Sequence, residues 1–352
     1  MKKIYHLSHN DLDGYGAQVV TNEIFEKNNL IEVIYSNTNY GKEITENLEI
    51  ILKDISKEDF LLITDINLSE EQAKWLEEKR IEINFELQLL DHHETGKNNT
   101  IYNWYYLDSS RCGTKITFDY FVKKDLIKKD SNISNIVDII NIYDLWQENH
   151  NNFEYGKILN QILYDNKDIF PKVLKNESLK YNLYLIKTFG SLISFFKEEK
   201  SIEELEINKY IIERKYFKDF FNEDMRNTPL HVLRIKYMYE KIITSDLKKE
   251  VFFDGYKFEV YYGLSSIFQE FSHLRLIDQD KEKIDFVVNI NTQGFIGFRS
   301  KSPIKVNEFA KKYFNGGGHA QAAGGSLDKK ENKMDTKVLF DLFMEQLNKE
   351  RE

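Results

Sequence analysis

The chain has 352 residues, 41% of them hydrophobic and 30% charged, enough for two cored domains and too much for a disulfide mini-scaffold. Its 49 Lys and Arg against 58 Asp and Glu leave a net charge of −9, which excludes a duplex-DNA binder that blankets phosphates with basic side chains. A single cysteine, Cys112, allows no internal disulfide and no cysteine-based metal site, so a reducing, cytoplasmic setting is expected. The start MKKIYHLSHNDLDG lacks the apolar segment of a signal peptide. No stretch approaches the ~18 uncharged apolar residues of a membrane span, so no membrane partner is expected.

In chain order the first part alternates strands and helices. Ile4 to Ser8 is a predicted strand, Gly16 to Lys27 a helix, Ile31 to Ser36 a strand and Glu46 to Ile55 a helix. Phe60 to Thr64 (FLLIT) reads as a fully buried strand, Ser69 to Arg80 as a helix capped by Ser69, and Phe85 to Leu90 as the next strand. Helices over Gly113–Lys124 and Ser134–Tyr143 complete an α/β domain at 1–150 whose alternation implies a parallel sheet. Residues 151–247 carry helical periodicity with many aromatics and form a predicted helical connector. From 248 to 352 the pattern changes to a smaller α+β domain: VFFDGYKFEVYYG is a hairpin around Asp254-Gly255, and IDFVVNINTQGFIGFRS is a strand pair joined through Gln293-Gly294. Three prolines and no Ser/Gly tract leave no long flexible linker, and no internal repeat is visible.

Three acid and histidine clusters each follow a predicted strand: SHNDLDG, TDIN and DHHE. In a parallel sheet the carboxyl ends of the strands share one edge, and ligands bind along it. His9, Asp11, Asp13, Asp65, Asp91, His92 and His93 therefore converge there, a set too rich in like charge to coexist without cations, and a divalent metal pair resolves the repulsion. Taken singly, each has an ordinary explanation: Asp13-Gly14 a turn, Asp65 a helix cap, one histidine a hydrogen-bonded structural residue. Their joint occurrence at three strand ends points to a site. His6, which alternation turns away from Tyr5, Leu7 and His9, is expected to be structural.

HNDLDG, Asp65 in LLITDIN and the Asp91-His92-His93 triplet resemble the first three motifs of the DHH phosphoesterases, and FNGGGHAQAAGG at 314–325 resembles the glycine-rich motif of the DHH-associated domain. The two occur in family order over nearly the whole chain, and YHLSHNDLDG, TDINLS and INIYDLW look most like the nanoRNase B branch, oligoribonucleases of very short RNA. One spacing departs from other branches. Pyrophosphatases and nanoRNase A-type enzymes carry the first histidine four residues before the first aspartate; here His9 lies two before Asp11, where RecJ-type exonucleases carry an acid, which counts against an inorganic pyrophosphatase.

The resemblance implies that Asp65 bridges two metals, that His9 and Asp11 complete one site, and that Asp13, His92 and a fourth-motif acid complete the other. Asp138 and Asp144 both compete for that last role, and Asp144 is preferred because INIYDLW matches the branch. His93 is expected to bond the scissile phosphate, and Asp91 to orient a neighbouring histidine. Two metals ~3.5–4 Å apart sharing Asp65 would lower the pKa of a water and clamp the attacking and leaving oxygens of an in-line displacement. Mixed carboxylate and imidazole ligation favours manganese over magnesium, with cobalt or zinc as substitutes. Cys112 is expected to be a small packing residue.

In the second domain, Gly316, Gly317 and Gly318, followed by His319, can bring bare backbone to a ligand. Five basic residues from Arg299 to Lys312 against one acid, Glu308, make a positive patch in which Lys311 and Lys312 read as a solvated helix face. Arg299, whose guanidinium fork suits phosphate, and His319 are expected to hold the terminal phosphate or end nucleotide. The expected activity is manganese-dependent hydrolysis of short single-stranded RNA oligonucleotides or dinucleotides to mononucleotides. Alternatives are a phosphoesterase acting on linear or cyclic dinucleotides or on 3′-phosphoadenosine 5′-phosphate, and a non-catalytic nucleotide-binding regulator. Monomer and homodimer stay open.

Overall fold

A computed structural model describes residues 2–26, 28–167, 169–195, 202–222, 224–278, 280–328 and 336–349. They divide into two units: Met1–Lys167 with Leu179–Ile212, and Asp168–Ser178 with Glu213–Glu352.

The first unit opens with β1 (Lys2–His9), α1 (Leu12–Phe25), β2 (Ile31–Thr38), α2 (Lys42–Asp54), β3 (Phe60–Thr64), α3 (Glu70–Ile83) and β4 (Glu86–Asp91). A 3-10 helix (Glu94–Ile101), the short strand β5 (Tyr105–Leu107), α4 (Gly113–Lys123), α5 (Ser134–Asp144) and α6 (Phe153–Asn166) follow. The five strands are all parallel in the order β2-β1-β3-β4-β5. β3 holds the predicted bounds because FLLIT is apolar at every position but the last and almost wholly buried. α1 starts at Leu12, ahead of the predicted Gly16, because Asp11 caps it by accepting a hydrogen bond from the Gly14 amide at 3.0 Å; Lys27, the predicted helix end, lies outside the described residues. Asp13-Gly14 is thus the first turn of a helix. Ser69 and Gln72 form a full capping box at α3. β5 has three residues, too few for an alternating pattern to show in the sequence.

Register decides what the sheet edge presents. Ser8 pairs with Thr64, and Thr64 with Leu90, so His9, Asp65 and Asp91 each stand one residue further along three adjacent central strands. Beneath this edge, leucines and isoleucines such as Leu7, Leu61, Ile63 and Leu89 form a fully buried core. His6 is buried between Thr21 Oγ1 at 2.9 Å and Thr64 Oγ1 at 2.8 Å, and burial pushes its pKa down to about 3, a structural neutral histidine.

After a 3-10 turn (Lys172–Leu174) come the helices α7 (Lys175–Phe195), α8 (Ile202–Lys218) and α9 (Leu230–Ile243). α6 falls in the first unit and α9 in the second, while α7 and α8 are shared between them. The second unit continues with β6 (Lys249–Phe253), β7 (Tyr256–Tyr262), α10 (Phe268–Ile277), β8 (Phe286–Ile290) and β9 (Phe295–Ser300). It ends with α11 (Val306–Phe314), β10 (Gly317–His319), β11 (Ala322–Ser326) and α12 (Thr336–Lys349). Its sheet runs β10-β11-β9-β8-β7-β6, with β7 and β8 parallel and the other pairs antiparallel. Asp254 and Gly255 both take positive φ in the tight β6–β7 turn. The core is aromatic, with Phe258 stacked on Phe286 at 4.4 Å and Phe314 on Phe343 at 4.8 Å. No described helix is long and apolar enough to cross a membrane.

Candidate active site

The ends of β1, β3 and β4 deliver the predicted acids and histidines to one place. His92 Nε2 stands 3.2 Å from Asp65 Oδ1, 3.7 Å from Asp144 Oδ2 and 3.8 Å from Asp13 Oδ2. His9 Nδ1 lies 2.7 Å from Asp11 Oδ2 and 3.7 Å from Asp65 Oδ2, so Asp65 stands between the two groups. Asp65 takes a left-handed backbone, φ 56°, which aspartate tolerates better than most residues, and its amide is held by Leu90 O at 3.0 Å.

The electrostatics of this cluster suit a bound cation. Burial pushes the Asp65 carboxyl well above the usual carboxylate range, and the charges of Asp13, Asp11, Asp144 and Asp91 push the same way. Asp144 is pushed up to about 8, by burial first and then by Asp13 and Asp11. Burial raises Asp11 too, but its hydrogen bond to His9, the His9 charge and the Gly14 amide outweigh that and hold it below its ordinary value. His92 is lowered by burial, which favours the neutral ring whose lone pair can ligate a metal. Two buried oxygens, Asp65 Oδ2 and Asp144 Oδ2, have no hydrogen-bond partner. A buried carboxylate oxygen left unpaired is costly, and a divalent cation satisfies it, so the donors present fit such an ion. Among the described residues three groups have donor atoms within 4.8 Å of one another: His9, Asp11 and Asp65; Asp65, His92 and His93; Asp13, Cys112 and Asp144.

α4 closes the back of the cluster. The amides of Gly113 and Thr114, at its N-terminus, donate to Asp13 Oδ2 at 2.6 Å and Oδ1 at 2.7 Å. Cys112 is the buried residue before this helix, as expected of a packing residue; the sequence did not show that its thiol adjoins Asp13 and Asp144. Burial first, then those two charges, raise the thiol pKa well above normal. Asp144, at the end of α5, belongs to the cluster, whereas Asp138 is exposed and pairs with Lys115 at 3.3 Å.

His93 is held on both sides. Its Nδ1 lies 2.7 Å from Oδ1 of the fully buried Asp91, and its Nε2 lies 3.0 Å from the Tyr40 hydroxyl. Burial opposes protonation of His93, but the Asp91 hydrogen bond and charge outweigh it and raise its pKa. Tyr40, on the loop after β2, carries no sequence signal beyond being one of 21 tyrosines.

In the second unit the glycine-rich run is a short hairpin. Pairing aligns His319 with Ala322 and Ala322 with Arg299, so His319 and Arg299 share one face of the sheet, two strand spacings or ~10 Å apart. Arg299 lies 5.4 Å over the Phe268 ring and donates to Phe298 O at 2.9 Å. A Cβ on Gly316 would meet Gly324 O at 2.1 Å, and Gly318 sits at φ 136°, whereas Gly317 has ordinary φ and nothing within 4 Å of an added Cβ. The fold thus explains two of the three glycines. The basic patch is partly neutralised by Lys305–Glu308 at 3.2 Å and Lys312–Asp254 at 3.0 Å.

Comparison with known proteins agrees with this architecture. Residues 272–346 match the DHHA1 domain. A 3′,5′-cyclic-nucleotide phosphodiesterase of Helicobacter pylori is 28% identical over 345 residues, covering 93% of this chain and 94% of the relative. Oligoribonuclease NrnB of Bacillus subtilis is 24% identical over 351 residues, covering 97% of this chain and 75% of the relative. The crystal structure of an uncharacterized protein from Helicobacter pylori G27 superposes with a TM-score of 0.77 at 26% identity, over 99% of this chain and 100% of that one. The chain is an enzyme of the phosphoesterase class. These likenesses support a nanoRNase-like DHH protein with a C-terminal DHHA1 domain.

Proposed function

We propose that this enzyme hydrolyses phosphodiester bonds of short RNA oligonucleotides to mononucleotides, using two divalent cations, manganese by preference, in the cytoplasm. His9, Asp11 and Asp65 would hold one cation, and Asp65, Asp13, His92 and Asp144 the other. The observation that carries the reading is the pair of buried, unpartnered oxygens on Asp65 and Asp144 inside a cluster of five aspartates and three histidines. When bound, a cation pair in such a setting activates a water and neutralises charge developing at phosphorus.

The chain's own residues organise the rest. Asp91 fixes the His93 ring through Nδ1, which leaves Nε2 for a phosphate oxygen. The α4 amides hold Asp13 in place, and the neutral His92 ring offers its Nε2 lone pair. No serine or cysteine nucleophile is called for, so no covalent intermediate is expected. Arg299, His319 and the backbone of Gly316, Gly317 and Gly318 would bind the terminal phosphate or end nucleotide, and Gly317, a glycine with no steric reason in the fold, supports that role.

A second reading, hydrolysis of a 3′,5′-cyclic nucleotide, is favoured by the full-length likeness to the Helicobacter pylori phosphodiesterase. One assay separates them: manganese-dependent turnover of RNA dimers to pentamers, a long single strand, 3′,5′-cyclic AMP, a cyclic dinucleotide and 3′-phosphoadenosine 5′-phosphate. Faster cleavage of the dimers supports the first reading and preference for cyclic AMP replaces it by the second. Asp65→Asn is expected to lower turnover at least a thousandfold, and full activity in that variant would end the two-cation reading.

A further inference from the structure

Tyr40 reaches from the loop behind the edge strand β2 to the end of β4, two strands beyond its neighbour β1. Its ring packs on His9, with centroids 4.6 Å apart, and meets the edge of His93 at 5.7 Å and 79°. Its hydroxyl makes one hydrogen bond among the described residues, to His93 Nε2 at 3.0 Å. Burial does not account for this tyrosine, which is 43% exposed. Packing against His9 requires only a ring, and phenylalanine would serve; the hydroxyl is spent on one nitrogen.

That nitrogen is the one left for a ligand. A buried carboxylate accepts hydrogen bonds and does not donate them, so Asp91 engages an N–H at Nδ1 of His93. Nε2 then has a single open direction, and the Tyr40 oxygen lies in it. A phosphodiester oxygen only accepts, so its bond to His93 needs a hydrogen on Nε2, and a phenol oxygen, which accepts as well as donates, can take that same N–H in its place.

We propose that the Tyr40 hydroxyl is a stand-in for the scissile phosphate. It fills the hydrogen bond at His93 Nε2 until a phosphodiester displaces it, and the freed hydroxyl then donates to the bound nucleotide. This rests on the reading that His93 contacts phosphate. Exchange of one hydrogen bond for another keeps His93 aimed and dry before substrate arrives, at a cost to ground-state affinity, and the second role makes Tyr40 a substrate-contacting residue.

The two roles leave a kinetic signature that a merely structural tyrosine would not. Tyr40→Phe keeps the ring on His9 and removes both the competitor and the donor. In the full-length manganese-loaded enzyme, with an RNA dinucleotide as substrate, kcat and KM are both expected to fall, each by about two- to tenfold, and calorimetry should show AMP binding tighter by a similar factor. In a His93→Gln background, where no competition at Nε2 remains to be relieved, the same change should no longer tighten AMP binding. Unchanged or weaker AMP binding by Tyr40→Phe overturns the inference. If His93→Gln itself turns over like the wild type, the reading of His93 fails instead; loss of turnover in His93→Gln with an unaffected Tyr40→Phe leaves that reading standing and removes only the stand-in.

Discussion

The amide of Gly113 donates a 2.6 Å hydrogen bond to Asp13 Oδ2 across 100 residues of chain, and the next amide, of Thr114, takes the other oxygen of the same carboxylate. The positive end of α4 thus grips one member of a strongly acidic cluster and leaves Asp65 Oδ2 and Asp144 Oδ2 as the unpaired oxygens.

Gly113 is therefore a sensitive position that no catalytic motif includes. A Cβ there would stand 2.7 Å from Asp65 Cβ and 3.0 Å from Asp13 Oδ2. Gly113→Ala should push these two carboxylates apart, destabilise the fold by about 1–3 kcal/mol and weaken manganese binding at least tenfold. Chemical denaturation and a manganese titration measure both effects; wild-type affinity in this variant would mean that the α4 grip does not shape the site.

Proton release should accompany metal binding. With its carboxyl pushed up to about 8, Asp144 holds a proton at pH 6–7 that an incoming cation must expel. Apparent manganese affinity should then rise with pH, about tenfold per unit for each proton released, and level off above about pH 8. The metal-free chain has the opposite trend: a folded value raised above the ordinary 3.8 gives stability that is full below 3.8 and is lost as pH rises through about 8. Asp144→Asn should flatten both slopes and cut turnover at least a hundredfold. Asp138→Asn, at an exposed residue paired with Lys115, should leave affinity and turnover within twofold. Equal losses in the two variants would refute the assignment of Asp144.

The two glycines at the start of the β10–β11 hairpin should respond in opposite ways. Gly316→Ala drives a Cβ onto Gly324 O and should destabilise the protein by more than about 1 kcal/mol. Gly317→Ala meets no atom and should change stability by less than about 0.5 kcal/mol while weakening AMP binding. A thermal melt paired with calorimetry tests this, and wild-type binding in Gly317→Ala would remove that residue from the ligand surface.

Much of the site was legible because its chemistry lies beside strong local signals. FLLIT is apolar up to its last residue, so its bounds and the place of Asp65 directly after it could be read from the string, and parallel topology then brought HNDLDG, TDIN and DHHE to one edge. Asp144 was preferred to Asp138 on the pattern around it; the folded chain brings Asp144 to His92 and leaves Asp138 exposed beside Lys115, a difference in position that the string does not contain. The start of α1 was misplaced because Asp11 serves as cap and cluster member at once, and helical periodicity does not report a cap that also faces a site.

Alternation of apolar runs with acid and histidine clusters determined the parallel sheet, the residues at its edge and their crowding of like charge, since periodicity and charge are properties of the string itself. Only the folded chain decided which atom meets which: that Gly113 and Thr114 hold Asp13, that Cys112 adjoins it, and that Tyr40 caps His93. Those pairings depend on strand register and on where a helix begins, and a hydrogen bond across tens of residues leaves no trace in the spacing of either partner.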